Sequence, residues 1–178
     1  MRWLVFVLCL FIITNCSSKL PIVIKPQEIC VDYEPIDTFV NWSINAKPQS
    51  EWTDVDWLAK MMMSEVYDST EIEAIYLIGI TAKNHSIVDK TTITKAILRP
   101  GSFSGVNLPY YIWWRAEPTE MHKRLALRII AEDVPKELSN IFAFCSLNLL
   151  SSKTKAWFLS FKVYKNIKDV TFFVNEKV

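Results

Sequence analysis

The sequence predicts a mainly β domain, an antiparallel β-sandwich with one inserted helix. Three observations lead there. Half of the 178 residues are hydrophobic and 13% are aromatic, enough to bury a substantial core in a single domain. Several short runs alternate apolar and polar side chains, the period of a half-buried strand. Short turns rather than helices separate most of these runs, which favours antiparallel pairing over a parallel sheet.

Taken in order, residues 21–25 and 29–33 are β-rich runs split by Pro26, which cannot donate to a ladder. Residues 36–46 read as a strand, with Thr38, Val40, Trp42 and Ile44 on one face. Residues 53–67 carry the one clear helix. Thr53 is its cap, Asp54 and Asp56 occupy the first turn, and Val55, Leu58, Met62 and Val66 recur at helical spacing. Met61, Met62 and Met63 could offer thioethers to a soft metal, but three consecutive residues point in three directions on a helix. Flexible core filling is the simpler role. Residues 71–81 return to a strand that is apolar on both faces, and 91–99 form another, closed by a turn at Pro100-Gly101. Residues 118–133 fit two periods. Leu125, Leu127, Ile129 and Ala131 alternate as in a strand, while Met121, Leu125 and Ile129 fit a helix; the cleaner alternation favours a strand over 124–132. A turn or short helix follows at 134–140. Strands at 141–150, 155–164 and 170–174 complete the set, the last two joined by a tight connection flanked by Asn166 and Asp169.

The amino terminus has its own organisation. Arg2 precedes an unbroken apolar run from Trp3 to Ile13. That length suits a signal peptide and falls well short of the roughly 20 residues needed to span a bilayer as a helix. The run ends at Ile13-Thr14-Asn15-Cys16, which resembles the lipobox of bacterial lipoproteins; Asn15 departs from the usual Gly, Ala or Ser. The resemblance implies diacylglycerol on Cys16 and cleavage before it, with Ser17 and Ser18 directing the protein to the outer membrane. The expected domains are then a signal peptide over 1–15, a lipidated tether over 16–20 and the sandwich over 21–178. An ordinary cleaved signal peptide is the alternative. Asn-x-Ser sequons at Asn15, Asn41 and Asn84 would matter in a secreted glycoprotein.

Four cysteines are present. With Cys9 in the leader and Cys16 lipidated, Cys30 and Cys145 remain. In an oxidising compartment they are expected to pair, closing a loop of about 115 residues worth up to roughly 4 to 5 kcal/mol. Two isolated thiols are the alternative.

Catalytic chemistry finds little foothold. Only His85 and His122 exist, without zinc-site spacing, and both are expected at the surface. The pairs Asp54/Asp56 and Glu132/Asp133 read as solvated ends of elements. No metal or cofactor is expected, three glycines argue against phosphate loops, and a formal charge of +1 argues against nucleic acid. The densest chemical feature is Tyr110, Tyr111, Trp113, Trp114 and Arg115. Adjacent strand residues face opposite ways, so some of these rings are either exposed interface anchors or packed at an edge.

Cys16, Leu98-Arg99-Pro100-Gly101 and the run from Leu125 to Ala131 give the chain a loose similarity to the small outer-membrane lipoprotein of type VI secretion systems. That resemblance implies a transthyretin-like sandwich; an immunoglobulin-like one is the other form considered. The expected function is a non-enzymatic envelope lipoprotein, anchored in the membrane by lipid and docking on an envelope protein partner in a secretion or envelope assembly. Two alternatives stand beside it: a lipoprotein that binds a lipid or other apolar ligand, and a secreted, disulfide-bonded glycoprotein.

Overall fold

A computed structural model of the chain describes residues 44, 47–66, 71–103 and 117–175, all within one unit of the chain, Tyr33–Val178. Helix accounts for 56% of these residues and strand for 14%. The expected β-sandwich, transthyretin-like or immunoglobulin-like, is therefore not the fold. The described residues form five α-helices and one three-stranded antiparallel sheet. Among them, no helix is long and apolar enough to cross a membrane.

Helix α1 (Asp54–Glu65) forms where the sequence places it. Thr53 and Asp56 make a reciprocal capping box: the Thr53 backbone N–H donates to Asp56 Oδ2 at 2.8 Å, and the Asp56 N–H donates to Thr53 Oγ1 at 3.3 Å. Thr53→Ala is expected to lower stability by about 1 kcal/mol, read from the urea midpoint; an unchanged midpoint would mean that the cap is dispensable. Met61, Met62 and Met63 are all buried, as core filling requires. Asp54 does receive a role outside its own helix, accepting from the Thr94 N–H at 3.1 Å.

Helix α2 (Ile72–Val88) replaces the expected strand over 71–81. It is the central element, packed against α1, β1 and two further helices, α3 (Ile93–Leu98) and α4 (Glu120–Ala131). Gly79 lets the helices approach closely. A Cβ there would lie 2.6 Å from Met62 Sδ and against Ile129 Cδ1. Helix α3 likewise replaces the expected strand over 91–99, and Gly101 takes up the turn after it with φ +79°. In α4 the buried residues are His122, Lys123, Leu125, Ala126 and Ile129. His122, Leu125, Ala126 and Ile129 follow helical i, i+3, i+4, i+7 spacing, so the alternation of 125–131 was not a strand signal. On the outer face Arg124 pairs with Glu120, and Arg128 with Glu132, each four residues apart.

The sheet holds β1 (Ile141–Cys145), β2 (Lys162–Ile167) and β3 (Val170–Val174) in the order β1-β3-β2. The β2–β3 hairpin turns at Lys168-Asp169, with Lys168 at φ 49°, where the tight connection was expected. Strand β1 is shorter than the sequence suggested, ending at Cys145 before a 3-10 turn, Leu147–Leu149. Helix α5 (Ser152–Phe158) occupies the first half of the stretch expected as a strand over 155–164. Phe172 and Phe173 of β3 are fully buried. The strands expected at 21–25, 29–33, 108–114 and, apart from Ile44, 36–46 lie outside the described residues.

Candidate functional site

Strand β1 is irregular, and α2 is built to meet the irregularity. Its register against β3 shifts between Ile141 and Ala143, the mark of a bulge at Phe142. A bulged residue leaves main-chain groups without ladder partners, and two consecutive side chains of α2 supply them. His85 Nε2 lies 2.6 Å from the Phe142 carbonyl oxygen. The buried Asn84 amide donates to the carbonyls of Leu138 and Ile141, each at 2.8 Å.

The second nitrogen of His85 is also engaged, by Arg99 Nη2 at 3.3 Å. Since both Arg99 and the carbonyl fix their own roles, Nε2 carries the proton and Nδ1 accepts. Burial lowers the His85 pKa; the Phe142 carbonyl opposes that, and the Arg99 guanidinium adds to it. The ring is thus a neutral clamp near pH 7. Arg99 continues the chain, donating to Ser102 Oγ at 2.8 Å and pairing with Asp89.

This network forms one edge of a cleft of 920 Å³. Phe103, Phe142, Phe144, Trp157, Phe158 and Leu149 give it mostly apolar walls, and Cys145, Glu65 and Thr81 also line it. Neighbouring rings brace each other, with Phe103 6.1 Å from Phe144 and Trp157 4.9 Å from Phe158 between centroids. Burial raises the Cys145 pKa, which disfavours the thiolate that a nucleophilic role would need.

The expected site residues fare differently. Cys145 is a free thiol in this cleft, while Cys30 and Cys16 lie outside the described residues. So do Tyr110, Tyr111, Trp113, Trp114 and Arg115. Neither histidine is an ordinary surface residue: His85 is half-buried in the clamp and His122 is buried in α4. At the Asn84 sequon the side-chain amide is buried and doubly bonded in the folded domain. Glu132 and Asp133 are exposed, as expected, but at a helix end rather than a strand end. Asp56, in contrast, is fully buried.

Helices α1 and α4 pack together and bury further polar groups: Asp56, Lys60, His122 and Lys123. Burial pushes the Lys60 pKa down to about 8, with Glu117 opposing. Among the described residues, no group of three or more His, Cys, Asp or Glu could hold a metal ion. No family model matches this chain, and neither a curated protein nor a solved structure matches it.

Proposed function

We propose that this protein is a lipid-anchored envelope protein, held at Cys16, whose helix–sheet domain binds an apolar ligand such as a fatty acyl chain. The observation that carries the reading is the aromatic cleft. Its 920 Å³ lies within the usual range of small-molecule sites, and its walls are apolar for the greater part, with Glu65, Thr81, His85, Arg99, Ser102 and Ser146 as the polar groups. This weighs the ligand-binding reading above a purely structural module. The reading is non-enzymatic. His85 has both ring nitrogens engaged, and Cys145 is held toward its thiol form.

An acyl chain of about 18 heavy atoms, at roughly 0.3 kcal/mol per atom, would bind with a Kd of roughly 0.1 mM or tighter. The test uses the full chain. Lipid should appear in the mass spectrum of an organic extract of the purified protein. Added palmitate should slow alkylation of Cys145, followed by peptide mass mapping. Ala143→Trp, which fills the cleft from β1, should abolish that protection with helical content unchanged. Alkylation of Cys145 that proceeds at the same rate with and without palmitate would rule the cleft out as an acyl site.

A further inference from the structure

The chain as a whole is almost neutral, but its charge is not evenly spread. From Leu138 to Lys168 there is no acidic residue and there are five lysines: Lys153, Lys155, Lys162, Lys165 and Lys168. Lys165 and Lys168 pair with Glu73 and Glu71. Lys153 and Lys155 lie on α5, and the same stretch exposes large apolar side chains. Leu149 is 85% exposed, Trp157 54%, Leu159 52% and Val163 40%. Lys153 and Trp157 are four residues apart on α5, as are Lys155 and the C-cap residue Leu159, so each cation adjoins an exposed apolar group.

Exposed apolar side chains in such a cluster mark an interaction surface. We infer that α5, with Leu149, Leu159 and Val163, docks on an anionic lipid bilayer. Charge complementarity selects this partner. The lysines meet lipid phosphates, while Trp157 and the aliphatic groups enter the boundary between headgroups and acyl chains. A nucleic acid would satisfy the lysines and leave Leu149, Leu159 and Val163 without a use. Leu149 and Trp157 also line the cleft, so the docked bilayer lies at its mouth. The docking surface goes beyond the acyl-binding reading and stands even if the cleft binds nothing.

Hydrogen exchange on the full chain tests it, with vesicles of phosphatidylcholine alone and of phosphatidylcholine mixed with phosphatidylglycerol. Peptides covering 147–163 should be protected on the mixed vesicles, unprotected on the neutral ones, and released by raised salt. Each lysine at an anionic surface contributes about fivefold, so Lys153→Gln with Lys155→Gln should weaken the local contact about 30-fold and remove most of the protection. Trp157→Ala should weaken it at any salt concentration. Unchanged exchange in α2 reports that the variants remain folded. Four outcomes would overturn the proposal: equal protection on neutral vesicles, protection that survives the double lysine variant, protection by a DNA duplex in place of vesicles, or concentration-dependent protection without any vesicle. Loss of palmitate binding with vesicle protection intact would sink the cleft reading alone.

Discussion

Asn84→Asp is expected to cost about 4 kcal/mol of folding stability, although it changes only one atom of the side chain. The native amide is 4% exposed and donates to the carbonyls of Leu138 and Ile141 at 2.8 Å each. A carboxylate has no proton to donate, so both bonds are lost and a negative charge faces two carbonyl oxygens without water. Asn84→Leu, similar in volume, loses the bonds but adds no charge, and about 3 kcal/mol is expected. The order of stability should therefore be Asn, then Leu, then Asp, measured by urea unfolding. Exchange of the β1 amides should quicken in the same order, because Asn84 ties α2 to the bulged end of that strand. A leucine variant as stable as the native protein would show that the two bonds carry no net stability.

How much of this was legible in the sequence depends on which signal each element left. Helix α1 was readable because its cap is chemical: Thr53 and Asp56 sit three apart, and Leu58 and Met62 four apart, on an otherwise mixed segment. Helix α2 was not, because it is buried on most sides. Ala74, Ile75, Tyr76, Leu77 and Ile78 are all inside, and a segment without a polar face has no amphipathic period to reveal. Its alternating Ile72, Ala74, Tyr76, Ile78 and Ile80 mimicked a strand by coincidence. Length was the usable clue, since the apolar run over 71–81 already exceeds an ordinary strand. In α4 the misleading residues were polar ones in the core. Counting His122 as outside hid the helical stripe that it completes with Leu125, Ala126 and Ile129. The stretch expected as one strand over 155–164 is instead divided between α5 and β2, and Trp157, Leu159 and Val163 are all substantially exposed.

The site was less legible than the fold. Its walls come from α2, the turn after α3, β1, α5 and the end of α1, and no local pattern announces such convergence. His85 and Asn84 serve a bulge whose existence depends on long-range pairing with β3. One local signal does mark it: the run from Leu138 to Lys168 lacks any acid and holds Phe142, Phe144, Trp157, Phe158 and Phe161. The chain-wide charge balance conceals this local cationic excess.

His122 sets the second large effect, a loss of about 3 kcal/mol on acidification from pH 6.5 to pH 4. Its imidazole is 6% exposed; Nδ1 is bonded to Thr119 Oγ1 at 2.7 Å, and Nε2 has no hydrogen-bond partner among the described residues. Burial alone lowers its pKa from 6.5 to about 4. Between those values the unfolded chain binds a proton that the folded one refuses, so folding stability is complete above pH 6.5 and falls as the pH drops. At about 1.4 kcal/mol per pH unit, two and a half units give roughly 3 kcal/mol. Lys60 does not confuse the measurement, because its own lowered pKa, about 8, makes stability rise only above that pH. Other groups do contribute to the acid limb, so the decisive quantity is a difference. His122→Gln removes the titration and should flatten the curve by about one proton between pH 6.5 and 4, measured by urea unfolding at each pH. Parallel curves for the native protein and the variant across that range would mean that the folded state accepts the proton. The imidazole would then have to find an acceptor for Nε2, or reach solvent, by a local opening of the α1–α4 interface.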